Sequence, residues 1–396
     1  MAMTATARAD GVARATFAGL CAILVGIGLA RFAYTPLIPA LIAAGWFGPA
    51  DAFYLGAANF AGYLAGALTA RAMARHAAIP TVLRAMMLLV AASFFAGMSP
   101  ISFAWFFLWR FASGLAGGVL MVLGPTAVLA QIPAARRGFA GGVIFAGVGI
   151  GIIASGTAVP LLMRLGLAET WAGIGIISVL LTVAAWRFWP EGDAPIAATN
   201  ARAVEPGATS LKVFCLVYGL TAIGLVPHMV FLVDFVARGV GAGLEIGARY
   251  WVLFGIGAMI GPVLAGQLAD RIGFGRALRL ALLAEAFAVI LPVVTDATPA
   301  LNVTSLVVGG FVPGVAGLAV GRVHELVNAG DAERRAAWSL CTVFFAIGQA
   351  LGAYAMSAAF AAFHSYALLF AAGAAVLALS LMLDTAVRAP AQHRGP

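Results

Sequence analysis

Residues 266–276 read Gly266-Gln-Leu-Ala-Asp270-Arg271-Ile-Gly273-Phe-Gly275-Arg276, and they separate two apolar runs at roughly 249–268 and 277–295. Each run has about the ~20 residues that a helix needs to cross the hydrocarbon core of a bilayer. Gly266 favours close approach of the helix end to a neighbour, and Asp270 would complement the positive N-terminus of an adjacent helix. Arg271 and Arg276 favour the cytoplasmic side. The stretch therefore predicts a short cytoplasmic loop between two membrane helices.

The composition of the whole chain supports a membrane protein. Of the 396 residues, 63% are hydrophobic and only 10% are charged, and the mean hydropathy is +1.03. Such values are typical of a chain that crosses the bilayer many times. The net charge of +8 fits arginines in loops that face anionic headgroups, so we expect no nucleic-acid partner.

Apolar runs of membrane length recur along the chain and predict twelve transmembrane helices, because helix satisfies every backbone group in lipid. They lie at about 16–42, 52–70, 80–98, 102–130, 139–163, 170–189, 211–236, 249–268, 277–295, 299–323, 337–362 and 365–384.

The chain divides into two similar halves. The polar stretch 190–210, rich in Pro, Gly and Ala, predicts a cytoplasmic linker between six-helix bundles at 1–189 and 211–396. Gly66 and Arg71 stand where Gly266 and Arg271 stand in the second half. Parallel repeats of this kind place a transport site between the halves.

Arginine and lysine set the predicted orientation. Most of them fall in the termini, the linker and alternate loops, whereas the opposite side has only Arg164, Arg238 and Arg249. This asymmetry predicts that both termini and the linker are cytoplasmic. Cys21, Cys215 and Cys341 lie within spans, and no spacing indicates a metal site, so we expect them to serve as small packing residues.

Two arginines lie inside predicted spans of the first half. Arg31 follows Gly28 in the first span, and Arg110 precedes Ser113 and Gly114 in the fourth. An arginine within the bilayer costs at least ~2.5–3.5 kcal/mol, so we expect both to face a polar cavity and bind substrate. Helical spacing places Tyr34 and Thr35 on the same face as Arg31. In the alternative interpretation, both arginines cap carbonyls at helix breaks or pair internally.

Four other polar residues lie within or near the predicted spans. Asn59 in the second span either contacts a ligand or joins helices. His228, beside Pro227, either binds substrate or satisfies carbonyls freed by the proline. Asp234 is expected near the outer mouth as a solvated acid, and Glu285 is clearly within the membrane with a buried partner or in a protonated state. Asp234 and Glu285 are the candidates for ion coupling.

These motifs resemble the major facilitator superfamily over nearly the whole chain. The loop 266–276 is similar to its G-x-x-x-D-R-x-G-R pattern, and Arg110 with Gly114 and Gly117 is similar to its R-x-x-x-G-x-x-G pattern. The first span, from Gly28 to Pro39, and the run from Asn59 to Gly66 look like the YbfB/YjiJ branch. The resemblance implies that the first and fourth helices of each half line a central cavity.

The resemblance also implies gating roles, which we carry to these positions: Gly66, Arg71, Gly266, Asp270, Arg271, Gly273 and Arg276. Two positions depart from the family. Ala70 stands where the first-half loop would have Asp, and the fifth span lacks the Gly-Pro motif of proton-driven antiporters.

We therefore expect an all-α, twelve-helix secondary transporter with a major facilitator fold, and not an enzyme. The expected substrate is a small organic anion, moved by alternating access with protons as the candidate coupling ion; no cofactor or metal is expected. Its setting would be a bacterial inner membrane, where it would act as a monomer. The alternatives are a drug or sugar efflux transporter of the same fold and, less favoured, a non-transporting membrane sensor.

Overall fold

The computed structural model describes residues 2–190, 209–327 and 330–387, and regular structure in these ranges is helical throughout. The helices are α1 (Ala2–Ile23), α2 (Tyr34–Ala43), α3 (Pro49–His76), α4 (Ile79–Ala96), α5 (Phe103–Leu129), α6 (Ala134–Leu162), α7 (Leu167–Ala185), α8 (Thr209–Gly224), α9 (Leu232–Asp234), α10 (Leu244–Ile272), α11 (Phe274–Val294), α12 (Thr298–Leu326), α13 (Asp331–Phe363) and α14 (Tyr366–Ala386). Short π-helical segments occur at Leu24–Leu29, Pro227–Phe231 and Phe235–Gly239.

Each of the twelve predicted spans is helical, which confirms the predicted fold class. Over the described residues, eleven helical stretches are long and apolar enough to cross a membrane. The twelfth is α3, which is 28 residues long but less apolar because it carries Asn59, Tyr54 and Tyr63 among many glycines and alanines.

The first span of each half contains a π-helical segment. In the first half, α1 passes into Leu24–Leu29 and a turn before α2 begins at Tyr34. In the second half, Pro227–Phe231 follows α8 closely. Pro36 and Pro227 lack the N–H that would continue an α-helical ladder, which accounts for the irregular backbone nearby. Such π segments are rare and occur frequently at functional sites.

The chain forms two compact units. Unit 1 comprises Met1–Ile196 and Met229–Gly255, and unit 2 comprises Ala197–His228 and Ile256–Pro396. The stretch Met229–Gly255, which the sequence places in the second half, thus packs with the first-half helices. The predicted linker 190–210 lies outside the described residues except at its ends, as does the C-terminal tail after residue 387.

Glycines bring α3 and α5 into close contact within unit 1. A β-carbon added at Gly62 or Gly66 would overlap the backbone of α5, and one added at Gly114 or Gly118 would overlap the backbone of α3. Close backbone approach through small residues is the usual mode of helix association in lipid, where apolar side chains gain nothing from leaving the tails. This contact fixes the position of Arg110 on α5 relative to Asn59 on α3.

Unit 2 has a corresponding small-residue contact between α8 and α13. Gly348 lies against the backbone of Gly219, and the buried sulfur atoms of Cys215 and Cys341 are 2.7 Å apart. The three cysteines are all buried and not joined by disulfides. Their placement at helix contacts agrees with the packing role expected from the sequence.

Candidate functional site

The turn between Leu29 and α2 organises the candidate site in unit 1. The carbonyl oxygen of Ala30 accepts a hydrogen bond from Arg110 Nη1 at 2.8 Å and a longer one from Asn59 Nδ2 at 3.3 Å. Side chains from α5 and α3 therefore satisfy a backbone group where the first span is irregular. Because a buried carbonyl without a partner is costly, these two contacts stabilise the interrupted helix.

Arg110 is 4% exposed and makes further contacts around this turn. Its Nε donates to the carbonyl of Leu55 at 3.4 Å, and its guanidinium carbon lies 4.1 Å from the ring centre of Tyr34. The Tyr34 hydroxyl is in turn held by the carbonyl of Ala52 at 2.9 Å. These partners are all neutral, so the positive charge of Arg110 is oriented but not cancelled by them. Arg110 Nη2 makes no hydrogen bond with the described residues.

Arg31 is buried beside two aromatic rings of α3. Its guanidinium carbon lies 4.2 Å from the ring centre of Tyr63 and 4.8 Å from that of Phe60. Arginine stacks well on aromatic faces, and this attraction strengthens when water is excluded. The two arginines predicted to face a polar cavity are thus both buried near the same helix break.

Asn59 joins helices. Its Nδ2 is 2.9 Å from Ser113 Oγ and 3.3 Å from the carbonyls of Arg110 and Ala30, so three acceptors surround a group with two hydrogens. The interhelical interpretation of Asn59 accounts for these contacts, and its side chain does not line the cavity described next.

A small cavity in unit 1 brings the predicted residues together. It holds about 230 Å³ of space between the atoms, including the part that is open to the outside. None of the described residues that line it is acidic; they are Arg31, Tyr34, Thr35, Ile38, Gly56, Phe60, Arg110, Met229 and Val230. Of the five residues predicted to bind substrate, Arg31, Tyr34 and Arg110 line this cavity, whereas Asn59 and His228 do not.

Met229 and Val230, which belong to the second π-helical segment, close part of this cavity. Thr35 Oγ1 donates to the carbonyl of Met229 at 2.7 Å, and the rings of Phe53 and Phe231 are 4.2 Å apart. Thr35 was expected on the face of Arg31 but was not among the substrate-binding candidates, and Met229 was not expected at this site at all. No pattern in the sequence indicated that residues 229–230 pack against α2.

His228 lies in unit 2, where its environment is well defined. It is fully buried, its Nε2 is 2.6 Å from Thr304 Oγ1, and its ring stands 5.1 Å from that of Phe370. Glu285 is also fully buried, and neither of its carboxyl oxygens has a hydrogen-bond partner among the described residues.

The expectation of a solvated Asp234 is wrong. Its side chain is buried and bonded in two places to Arg238, with Nε–Oδ1 at 2.6 Å and Nη2–Oδ2 at 3.0 Å. The two residues are one helical turn apart, and the planar fork of arginine matches a carboxylate. Sequence position alone suggested an exposed acid because it did not show that Met229–Gly255 is packed within unit 1.

The loop 266–276 has the predicted fold but different contacts. Gly273 has φ +83°, a left-handed conformation that favours glycine, and it precedes α11 directly. Asp270, Arg271 and Arg276 are exposed. No atom lies within 4 Å of a β-carbon placed at Gly266, so the close approach expected there is absent from the described residues.

Close approach does occur at the equivalent glycine of the first half. A β-carbon at Gly66 would overlap the backbone of Leu115 on α5. Arg71 is exposed one turn beyond it. The two halves therefore use the shared motif glycine differently.

Glu325 occupies the N-terminus of α11. Its oxygens accept the backbone N–H groups of Phe274 at 2.9 Å and Gly275 at 3.2 Å. Arg322, which is 4% exposed, donates to the same carboxylate at 2.8 Å and to the carbonyl of Val387 at 2.9 Å. A carboxylate at a helix N-terminus is stabilised by the backbone dipoles. The spacing Arg322-x-x-Glu325, one helical turn, was the available signal for this pair.

A second ion pair lies near the start of α11, where Arg279 Nε donates to the buried carboxylate of Asp384 on α14 at 2.8 Å. Across the described residues, no group of three or more His, Cys, Asp or Glu is arranged to hold a metal ion.

Comparisons with known proteins give a consistent answer. A family model described as "uncharacterised MFS-type transporter YbfB", where MFS denotes the major facilitator superfamily, matches residues 23–385. No curated protein matches the sequence. The fold is similar to a mutant of the nucleoside transporter NupG, with a TM-score of 0.74 and 15% identity over 94% of this chain and 99% of that one. It is also similar to a D-xylose-proton symporter, with a TM-score of 0.71 and 14% identity over 94% of this chain and 96% of that one.

Proposed function

This chain belongs to the YbfB-type family of major facilitator transporters, and we propose that it carries a small organic anion across a membrane by alternating access. It is a multi-pass membrane protein and a transporter, not an enzyme. The family's fold alternately opens a central site to either side as its two six-helix halves rock.

The observation that carries the proposal is the pair of arginines in this cavity. Arg31 and Arg110 both line it, and no acidic residue is among the described lining residues. Backbone carbonyls and the ring of Tyr34 orient the guanidinium of Arg110, and none of these groups carries a negative charge. Arg31 stacks beside the rings of Tyr63 and Phe60. A buried positive charge is expensive unless an opposite charge approaches it. A carboxylate or phosphate supplies that charge and fits the arginine fork.

The remaining walls indicate an apolar body on the same solute. Ile38, Phe60, Met229 and Val230 line the cavity beside the arginines. The available space is narrow, so a ligand larger than a few atoms requires the walls to separate. A small carboxylic acid with a short hydrocarbon or aromatic part combines an anionic head with a body suited to these surfaces.

We further propose that the protein acts as a monomer in a bacterial inner membrane, with both termini in the cytoplasm. The asymmetric arginine distribution supports this orientation. Proton coupling is proposed as well, because intramembrane acids such as Glu285 commonly serve proton movement.

The experiment is uptake into proteoliposomes that contain the purified protein. A panel of radiolabelled solutes should include mono- and dicarboxylates, organic phosphates, neutral sugars and nucleosides, and organic cations, each with and without a pH gradient. Anions should enter faster than in protein-free vesicles, and a pH gradient should increase their accumulation. Preferred uptake of cations would refute the anion site, and preferred uptake of sugars or cationic drugs would favour the alternative efflux function.

A further inference from the structure

Gly56 on α3 lines the cavity in unit 1 but has no side chain to fill it. It stands one helical turn before Phe60, which also lines the cavity, so the two residues lie on the same face of α3. This face therefore presents an aromatic ring to the cavity at one turn and no side chain at the turn before it.

Helix packing does not require a glycine at residue 56. A β-carbon built at Gly56 would lie 3.5 Å from Val230 Cγ1 and 3.6 Å from Tyr34 Cε1, which are ordinary contact distances. Gly62 and Gly66 of the same helix differ, because a β-carbon at either of them would overlap the backbone of α5. An alanine would thus fit at residue 56 without displacing its neighbours.

The backbone of α3 does not require this glycine either. Gly56 lies inside the helix Pro49–His76 and has no positive φ angle. In a helix interior, glycine is less favourable than alanine because its backbone loses more conformational entropy on folding. Since neither packing nor backbone conformation accounts for Gly56, the remaining consequence of the missing side chain is the space that it leaves in the cavity.

We propose that Gly56 determines the size of the solute, because the space that a side chain would fill there receives the solute's apolar body. This inference rests on the proposed function of the cavity. The guanidinium carbon of Arg110 lies 4.1 Å from the ring centre of Tyr34, and one edge of the same ring faces Gly56. An anionic head bound by Arg110 therefore places its apolar body along Tyr34 towards Gly56, in a space that Val230 also borders.

Equilibrium binding of labelled acetate and labelled benzoate to the purified protein tests the size limit. Acetate has a single methyl group as its body, whereas benzoate has an aromatic ring. Gly56→Ala should leave the affinity for acetate unchanged and weaken benzoate about 10- to 200-fold, the range for one methylene in an apolar pocket. Adding Val230→Ala, which removes the side-chain atom nearest to the new methyl group, should restore much of the benzoate affinity.

Gly317→Ala is the matched control for the change of helix propensity. Gly317 lies within α12, a β-carbon there would meet nothing within 4 Å, and the residue does not line the cavity. Both alanine variants should unfold at or above the temperature of the wild type, because alanine favours helix. Only Gly56→Ala should change the ratio of benzoate to acetate affinity.

Three results would overturn the inference: a lower unfolding temperature for Gly56→Ala than for the wild type, an equal loss of both acids, or an unchanged affinity ratio. The first two would assign Gly56 to packing or to the placement of Arg110. If the wild type binds neither acid, the anion proposal fails, and the ratio is measured with glycerol and glucose instead. A selective loss of glucose in Gly56→Ala would then uphold the size limit, and an unchanged ratio would overturn it.

Discussion

Replacing Arg110 with glutamine tests the cavity most directly. The side chain makes two hydrogen bonds to carbonyls, and one of these, Ala30, also accepts from Asn59. The other bond, to Leu55, is long at 3.4 Å. Removing the guanidinium loses both bonds and the contact with the Tyr34 ring, but Ala30 keeps its donor from Asn59, so the fold should survive.

The expected loss of binding free energy follows from the one Arg110 donor, Nη2, that is available to a ligand. Arg110 Nη2 makes no hydrogen bond with the described residues and belongs to a side chain that lines the cavity. A hydrogen bond from this group to an anion would be charge-assisted and contribute about 1.5–3 kcal/mol. Its loss should weaken binding roughly 10- to 150-fold. Arg110→Lys should fall between the wild type and Arg110→Gln, because it keeps the charge but not the planar fork.

The assay is equilibrium binding of the best labelled anion to purified protein, with Arg75→Gln as the matched control. Arg75 is exposed near the end of α3 and does not line the cavity, so this control should bind like the wild type. The reasoning is refuted if Arg110→Gln binds as tightly as Arg75→Gln while both remain folded.

Three further variants test the helix contacts and the loop, and a fusion tests the topology. Gly114→Ala should lower stability by about 1–3 kcal/mol because its β-carbon would overlap α3; Gly317→Ala, which meets nothing within 4 Å, is the control, and equal thermal stability of the two would contradict this. Glu325→Ala should lower the free energy of unfolding by about 3–5 kcal/mol, because it leaves the buried Arg322 without its carboxylate partner. A loss no greater than that of a surface substitution would argue against this role of Glu325. Asp270→Asn should slow transport more than it weakens binding if the loop stabilises one conformation, and a normal transport rate would remove Asp270 from the gate. A reporter fused at residue 200 should read as cytoplasmic, and a periplasmic signal would reverse the topology.

The sequence was sufficient to predict the helices and three of the residues that line the cavity, Arg31, Tyr34 and Arg110. Runs of apolar residues near membrane length have one satisfactory structure in lipid, so the twelve spans could be located before any contact was known. Arg31 and Arg110 drew attention because charge within a span is rare. Their proximity was expected from the resemblance, and the structure places both on one cavity.

What the sequence did not predict depends on long-range packing. Asp234 was misjudged because its burial follows from the position of Met229–Gly255 within unit 1. Glu325 was overlooked because its partners, the backbone N–H groups of Phe274 and Gly275, are some fifty residues away. Local pattern does not show which distant carboxylate reaches a given helix end.

The π-helical segment Leu24–Leu29 also bears on how the first span tolerates changes in chain length. A π turn holds more residues than the 3.6 of an α turn. Deleting one residue within this segment would convert it towards ordinary α-helix and leave the angular position of Tyr34 nearly unchanged. Deleting one residue within α2 would instead rotate everything beyond it by about 100°. Natural length variation in this span should therefore concentrate at residues 24–29. These residues precede Arg31 and Tyr34, which must point into the cavity.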